Sequence, residues 1–211
     1  MSNTMKSVYL IGTCDTKADE LLFLKSVIKR NGLRVVLVDV GIQDNVKLAD
    51  IANEEVASHH SGGIDVVLRQ SDRGIAIKEM SEALCNLMRL KDDVAGVIGI
   101  GGSGGTALIA PMMQSLPIGV PKLLVSTVAS GNVSSYIGAT DTSIMYSVVD
   151  LLGLNPVLKK ILTNAGNSIA GMVIGSKDED KTFTDKMTIG LTMFGVTTAC
   201  VEAISKSFQD K

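Results

Sequence analysis

The chain has 211 residues, 45% of them hydrophobic, with 20 Lys and Arg against 22 Asp and Glu and a formal net charge of −2. That is apolar sequence for one domain of ordinary size, or one domain with part of another. The nearly balanced, scattered charge excludes the basic footprint of a nucleic-acid binder, and an aromatic content of 3% without Trp leaves little for stacking single-stranded bases.

Residues 7–11 form a short apolar run ending at Gly12, which predicts a buried parallel strand. Leu21, Leu24 and Ile28 then share a helical face, with Asn31-Gly32 as the stop, and residues 34–39 read as a second strand. Strand, helix, strand predicts a right-handed βαβ unit. Residues 41–72 are polar and irregular, with a short helix expected over 48–57. Helical spacing returns over 73–90 through Ile77, Met80, Leu84, Leu87 and Met88, and 94–100 is the next strand. A helix over 106–115, a strand over 122–125 and helices over 143–152 and 157–173 follow. The alternation predicts an α/β fold, a Rossmann-like open parallel sheet with helices on both faces, occupying residues 1–174. Residues 175–186 read as a polar linker. Residues 187–211 read as a further βα unit, a strand over 187–193 and a helix over 198–208, which either opens a second Rossmann-like subdomain or packs onto the first.

No run approaches the roughly 20 apolar residues needed to cross a bilayer, and the opening residues lack the apolar stretch of a signal peptide. No membrane partner and a cytoplasmic location are therefore expected. Cys14, Cys85 and Cys200 are odd in number and lack metal-ligand spacing, as free thiols do. His59 and His60 read as a solvated face rather than as ligands.

Chemistry concentrates in the loops after the strands. Gly99-Ile100-Gly101-Gly102-Ser103-Gly104-Gly105-Thr106 places Gly-x-Gly-x-x-Gly between a strand and a helix, where backbone amides approach an anion and the helix end favours negative charge. No Asp or Glu lies between Asp93 and Asp141, so the ribose-binding acid of nicotinamide sites is missing, and no Lys follows as in a Walker A loop. A tight strand-to-helix turn is the alternative reading of the same glycines.

After the first strand, Thr13-Cys14-Asp15-Thr16-Lys17 offers hydroxyls, a carboxylate for magnesium and a cation for phosphate. Helix capping explains Asp15 or Thr16 equally well, but a first-turn lysine opposes the helix dipole unless an anion sits there. Cys14 is also a candidate nucleophile, since a helix N-terminus and a nearby lysine lower a thiol pKa. A third small, hydroxyl-rich loop carries Ser126, Thr127 and Gly131. Asp39 is a candidate ribose contact, and Asp141 is either a ribose or magnesium ligand or the cap of a helix beginning near residue 143. Three loops at one sheet edge make a polyanion pocket.

The segments Tyr9-Leu-Ile-Gly-Thr-Cys-Asp-Thr-Lys17, Val38-Asp-Val-Gly41, Gly99 to Thr106, Ser126-Thr-Val-Ala-Ser-Gly-Asn132, Gly138-Ala-Thr-Asp141 and Gly190-Leu-Thr-Met-Phe-Gly-Val-Thr-Thr198 resemble a known family over nearly the whole chain. It is the family containing the ATP-binding domain of the tomato mosaic virus resistance protein and its widespread, otherwise uncharacterised bacterial and fungal relatives. The resemblance implies ATP binding with magnesium, a Rossmann-like subdomain and homodimers. Its members look about twice as long, with a second Rossmann-like subdomain opening at the Gly190 segment. The plant member's inhibition of viral replication is not carried over, because nothing in this sequence identifies a viral partner.

The resulting expectation is a protein that binds ATP or a related phosphorylated small molecule, with residues 101–106 and 13–17 as phosphate cradle. Lys17 is the expected charge partner, Ser103 and Thr106 the hydroxyl donors, and Asp15 or Asp141 the magnesium-side acid. Two other classes remain open: a hydrolase acting on a small carbonyl or phosphate substrate through Asp15 or Cys14, and a non-catalytic dimerising module.

Overall fold

A computed structural model describes residues 6–43, 47–176 and 189–209. The elements run β1 (Ser7–Gly12), α1 (Cys14–Arg30), β2 (Val35–Asp39), α2 (Asn53–Ser58), α3 (Ile64–Leu68), α4 (Arg73–Arg89), β3 (Val94–Gly101), α5 (Ser103–Ser115), β4 (Lys122–Ser126), α6 (Ser134–Ile137), β5 (Ser143–Tyr146) and α7 (Pro156–Gly175). The five strands form one parallel sheet in the order β2-β1-β3-β4-β5.

The apolar strand runs have a simple cause: both faces are covered, so neither side of a strand tolerates charge. In β1, Val8 and Leu10 face a layer containing Leu21, Leu24 and Ile28 of α1 and Leu158, Leu162 and Ile169 of α7. Tyr9 and Ile11 face the opposite layer, with Met80, Leu84 and Leu87 of α4 and Ile109 and Met113 of α5. Helices α1 and α7 approach closely at Gly166, where a Cβ would lie 2.6 Å from Val27 Cγ1. Two helix starts follow their sequence signals: Asp72 accepts from Ile75 N at 2.9 Å, and Asn155 accepts from Leu158 N at 2.9 Å with Pro156 just inside the helix.

The expected helix over 143–152 is replaced by β5 and a loop. Its apolar spacing suits a helix, but residues 143–146 pair with Leu123 to Ser126 of β4, and tertiary pairing overrides local pattern. Asp141 accordingly caps no helix. The expected 48–57 helix shortens to α2, because Ile51 is drawn into a bridge with Val38.

The chain divides into two compact units, residues 1–178 and 179–211. Most of the expected linker, and residues 187–188 of the expected last strand, lie outside the described residues. Residues 189–193 form no strand among the described residues, since a strand needs a hydrogen-bonded neighbour and none is paired with them. In the second unit a 3₁₀ turn (Gly195–Thr197) leads into α8 (Thr198–Gln209).

Candidate functional site

From β1 the chain moves to β2 on one side and from there to β3 on the other, so the strand order reverses between β1 and β3. The loops leaving the carboxyl ends of these two strands part at that point and open a crevice, the usual ligand position in an open α/β sheet. A cleft of about 210 Å³ lies there. The β1 loop contributes Thr13, Asp15, Thr16 and Lys17 to its lining, and the β3 loop contributes Gly102, Ser103, Gly104 and Gly105.

In the β3 loop, the first helical hydrogen bond of α5 runs from Thr106 N to Gly102 O at 2.8 Å. The amides of Ser103, Gly104 and Gly105 belong to the opening turn, which has no partner further back in the helix. They stand at the cleft with the positive end of the helix dipole. The glycines serve different ends. At Gly101 a Cβ would lie 2.7 Å from both Gly105 C and Thr106 N, so β3 and α5 meet only over a bare backbone. At Gly102 and Gly105 the nearest atoms to a Cβ are 3.7 Å away, and neither glycine has positive φ. The fold itself does not require glycine at those two cleft positions.

The β1 loop is more tightly tied than its sequence suggests. Thr13 is the cap residue of α1, so Asp15 and Thr16 lie inside the first turn rather than capping it. The Thr13 and Thr16 hydroxyls are 2.7 Å apart. Lys17 lines the cleft, interrupts the helix (φ −135°, ψ 30°) and donates from Nζ to Leu151 O at 3.0 Å. Asp15 Oδ1 is buried and accepts from no protein donor among the described residues.

Cys14 faces away from the cleft into the core. Burial, and after it the Asp39 carboxylate, push its thiol up to about 12, so it is neither a ligand contact nor an activated nucleophile. Asp39 is fully buried and accepts from the amides of Cys14 at 2.9 Å and Gly41 at 2.8 Å. It ties the β1 and β2 loops together rather than meeting a ribose, and burial raises its pKa above the usual carboxylate range.

Thr106 and Ser126 are buried and their hydroxyls bond to each other at 2.6 Å, fastening α5 to β4 behind the cleft. Thr127 and Gly131 do not line it. Asp141 lies just before β5, at the opposite, amino edge of the sheet, where it pairs with the buried Lys122 at 2.6 Å. It cannot join Asp15 on one metal ion. Of the two expected magnesium-side acids, Asp15 alone lines the cleft.

Sequence reasoning missed the rest of the cleft: Arg73 at the start of α4, Ile77 one turn on, Val40, Ile42 and Gln43 after β2, and Leu108 of α5. Helical spacing over 73–90 marked α4, but the place of Arg73 in the cleft lining depends on packing between α4 and α5. His60 also departs from expectation. It is buried, with Nε2 2.8 Å from Glu79 Oε2 and 3.6 Å from Glu82 Oε2. Gly62 N donates to its Nδ1 at 3.0 Å, which places the ring proton on Nε2, toward Glu79. A metal on Nε2 would need that proton on Nδ1, against the Gly62 amide, so the group reads as a pin between the α2–α3 turn and α4. Among the described residues, no helix is long and apolar enough to cross a membrane.

Known proteins share this sequence closely. Residues 6–178 match the N-terminal domain of the uncharacterised protein family UPF0261. A UPF0261 protein of Rhizobium meliloti is 48% identical over 200 residues, which cover 95% of this chain and 50% of the relative. One from Clostridium tetani is 40% identical over 207 residues, 96% of this chain and 50% of that protein. The ToMV resistance protein Tm-1 of Solanum lycopersicum is 43% identical over 221 residues, 94% of this chain and 29% of the tomato protein. The chain thus spans about half the length of the bacterial relatives and less of the tomato protein. With its N-terminal domain match covering residues 6–178, the chain belongs to the UPF0261 family.

Proposed function

We propose that the cleft between the β1 and β3 loops binds ATP or a related phosphorylated small molecule. The observation that carries this reading is bare backbone at Gly105, with Gly102 in the same loop. Both line the cleft beside the opening amides of α5, and neither needs glycine for its backbone. Gly102 is the cap residue of α5, where glycine is ordinary, but Gly105 lies inside the helix, where glycine costs roughly 0.5–1 kcal/mol relative to alanine, so glycine at a position that the fold leaves open to alanine fits a requirement for close approach. Charge supports the same reading: Lys17 and Arg73 line the cleft against one acid, Asp15.

Phosphate oxygens accept from the Ser103, Gly104 and Gly105 amides and the Ser103 hydroxyl, with Arg73 and Lys17 supplying charge. Magnesium, where a polyphosphate brings it, neutralises phosphate charge from the phosphate oxygens, with waters completing its shell. The family resemblance that favours ATP also implies a homodimer, which sedimentation would read directly; a cytoplasmic location belongs to the same proposal.

Calorimetric titration with ATP, with and without magnesium, tests the reading beside Lys17→Ala. Binding that weakens in the variant supports it. Undetectable heat for both proteins at millimolar nucleotide overturns it.

A further inference from the structure

One atom in the cleft is left without a partner by a phosphate alone. Asp15 lines the cleft and its Oδ1 is buried without a donor among the described residues. A buried carboxylate oxygen without a hydrogen bond is costly, so a ligand that fits this cleft supplies either a cation or a donating hydroxyl there. Lys17 and Arg73 line the same small space, and their charge disfavours a third cation there. A neutral hydroxyl has no such conflict.

Size and lining narrow the ligand further. At about 210 Å³ the cleft is below the roughly 300–1,000 Å³ of pockets that enclose a drug-sized molecule, so it takes only part of a nucleotide. None of its lining residues is aromatic, and the aliphatic side chains are Val40, Ile42, Ile77 and Leu108. No ring is present to stack a base, while these four give the carbon face of a sugar an apolar wall.

We propose that the part of the ligand recognised here is a phosphorylated sugar, with its phosphate on the opening amides of α5 and Arg73 and a hydroxyl donating to Asp15 Oδ1. This rests on the phosphate-binding reading above and adds what the phosphate is attached to. The base of a nucleotide projects out of the cleft, and ribose 5-phosphate carries the whole recognised group.

The test is a set of calorimetric titrations of the full chain with inorganic phosphate, ribose 5-phosphate, ATP and adenosine, in EDTA and repeated with magnesium. Ribose 5-phosphate is expected to bind at least tenfold more tightly than inorganic phosphate in EDTA, and adenosine not to bind. In Asp15→Ala that ratio should fall below threefold while inorganic phosphate binds as well as before or better, a split that general damage to the fold would not produce. Asp15→Asn, which keeps the shape but not the charge, gives an intermediate ratio and serves if the alanine variant does not fold. Equal affinity for phosphate and ribose 5-phosphate in the wild type overturns the sugar assignment and leaves phosphate binding standing. A preference that appears only with magnesium also overturns it, by assigning Asp15 to the ion, and adenosine binding as tightly as ATP overturns it by assigning recognition to the nucleoside. No binding of any phosphorylated compound removes the phosphate reading itself, and the sugar assignment with it.

Discussion

Substituting alanine at Gly101 and at Gly105 separates what the fold needs from what the ligand needs within one loop. At Gly101 the new Cβ would sit 2.7 Å from Gly105 C and Thr106 N and 2.9 Å from Gly105 Cα. All three atoms are backbone, so no side chain can swing away, and α5 must shift off β3 along with the Thr106–Ser126 hydroxyl bond behind it. Overpacking of this kind costs about 2–3 kcal/mol. For a unit of this size that lowers the thermal midpoint by roughly 4–12 °C. At Gly105 the nearest atom is Ile100 O at 3.7 Å, an ordinary contact. Alanine there should be neutral or should stabilise by about 0.5–1 kcal/mol through helix propensity. Gly105 lines the cleft beside the opening α5 amides, so on the close-approach argument ATP affinity should fall at least tenfold, about 1.4 kcal/mol. Thermal unfolding by circular dichroism and ATP titration of both variants read the two effects. A Gly101→Ala protein as stable as the wild type would refute the packing argument, and a Gly105→Ala protein with wild-type affinity would refute the close-approach argument.

Four further outcomes follow from the same geometry. Lys122 is buried and donates to Pro117 O, Val120 O and Asp141 Oδ1, so Lys122→Met should destabilise by about 3 kcal/mol in urea unfolding. Burial acts to raise the Asp141 pKa, but the Lys122 hydrogen bond and the Gly119 amide outweigh it and hold the carboxyl below its usual value. A depressed carboxyl stabilises the fold above the unfolded pKa of about 4, and that contribution is lost as pH falls through the folded value. Asp141→Asn should therefore flatten the acid limb of stability below about pH 4, by an amount trimmed because Asp141 is more than a third exposed; an unchanged limb would contradict the assignment. Burial and the Asp39 carboxylate keep Cys14 protonated, so at pH 8 a thiol reagent should label the exposed Cys200 quickly and Cys14 only on unfolding, and Cys14→Ser should retain ATP binding. Lys17 holds Leu151 O, so Lys17→Met should speed amide exchange in the loop around Leu151 as well as weaken binding.

The strands and long helices were readable because burial on both sheet faces writes continuous apolar runs and helical spacing directly into the chain. β5 was not, since four residues carry too little pattern and residues 143–152 suit a helix until β4 supplies a partner. Within the site, the two loops that follow β1 and β3 were legible as glycine- and hydroxyl-rich turns after strands. What each residue faces was not. Thr106, Ser126, Cys14 and Asp39 have the composition of ligand contacts, yet they turn inward to fasten elements together. Asp141 sits in a segment that looks like a site, but strand direction carries it to the far edge of the sheet. Arg73 and Ile77 enter from α4, and only its packing on α5 reveals them.

The most direct test of phosphate binding in this cleft is an amide NMR map of the chain as ATP is added. The account predicts saturable shifts at Ser103, Gly104 and Gly105 and at Asp15 to Lys17, with the residues around the amino-edge Lys122–Asp141 pair unmoved. Shifts elsewhere with these amides silent, or none at millimolar ATP, would contradict it.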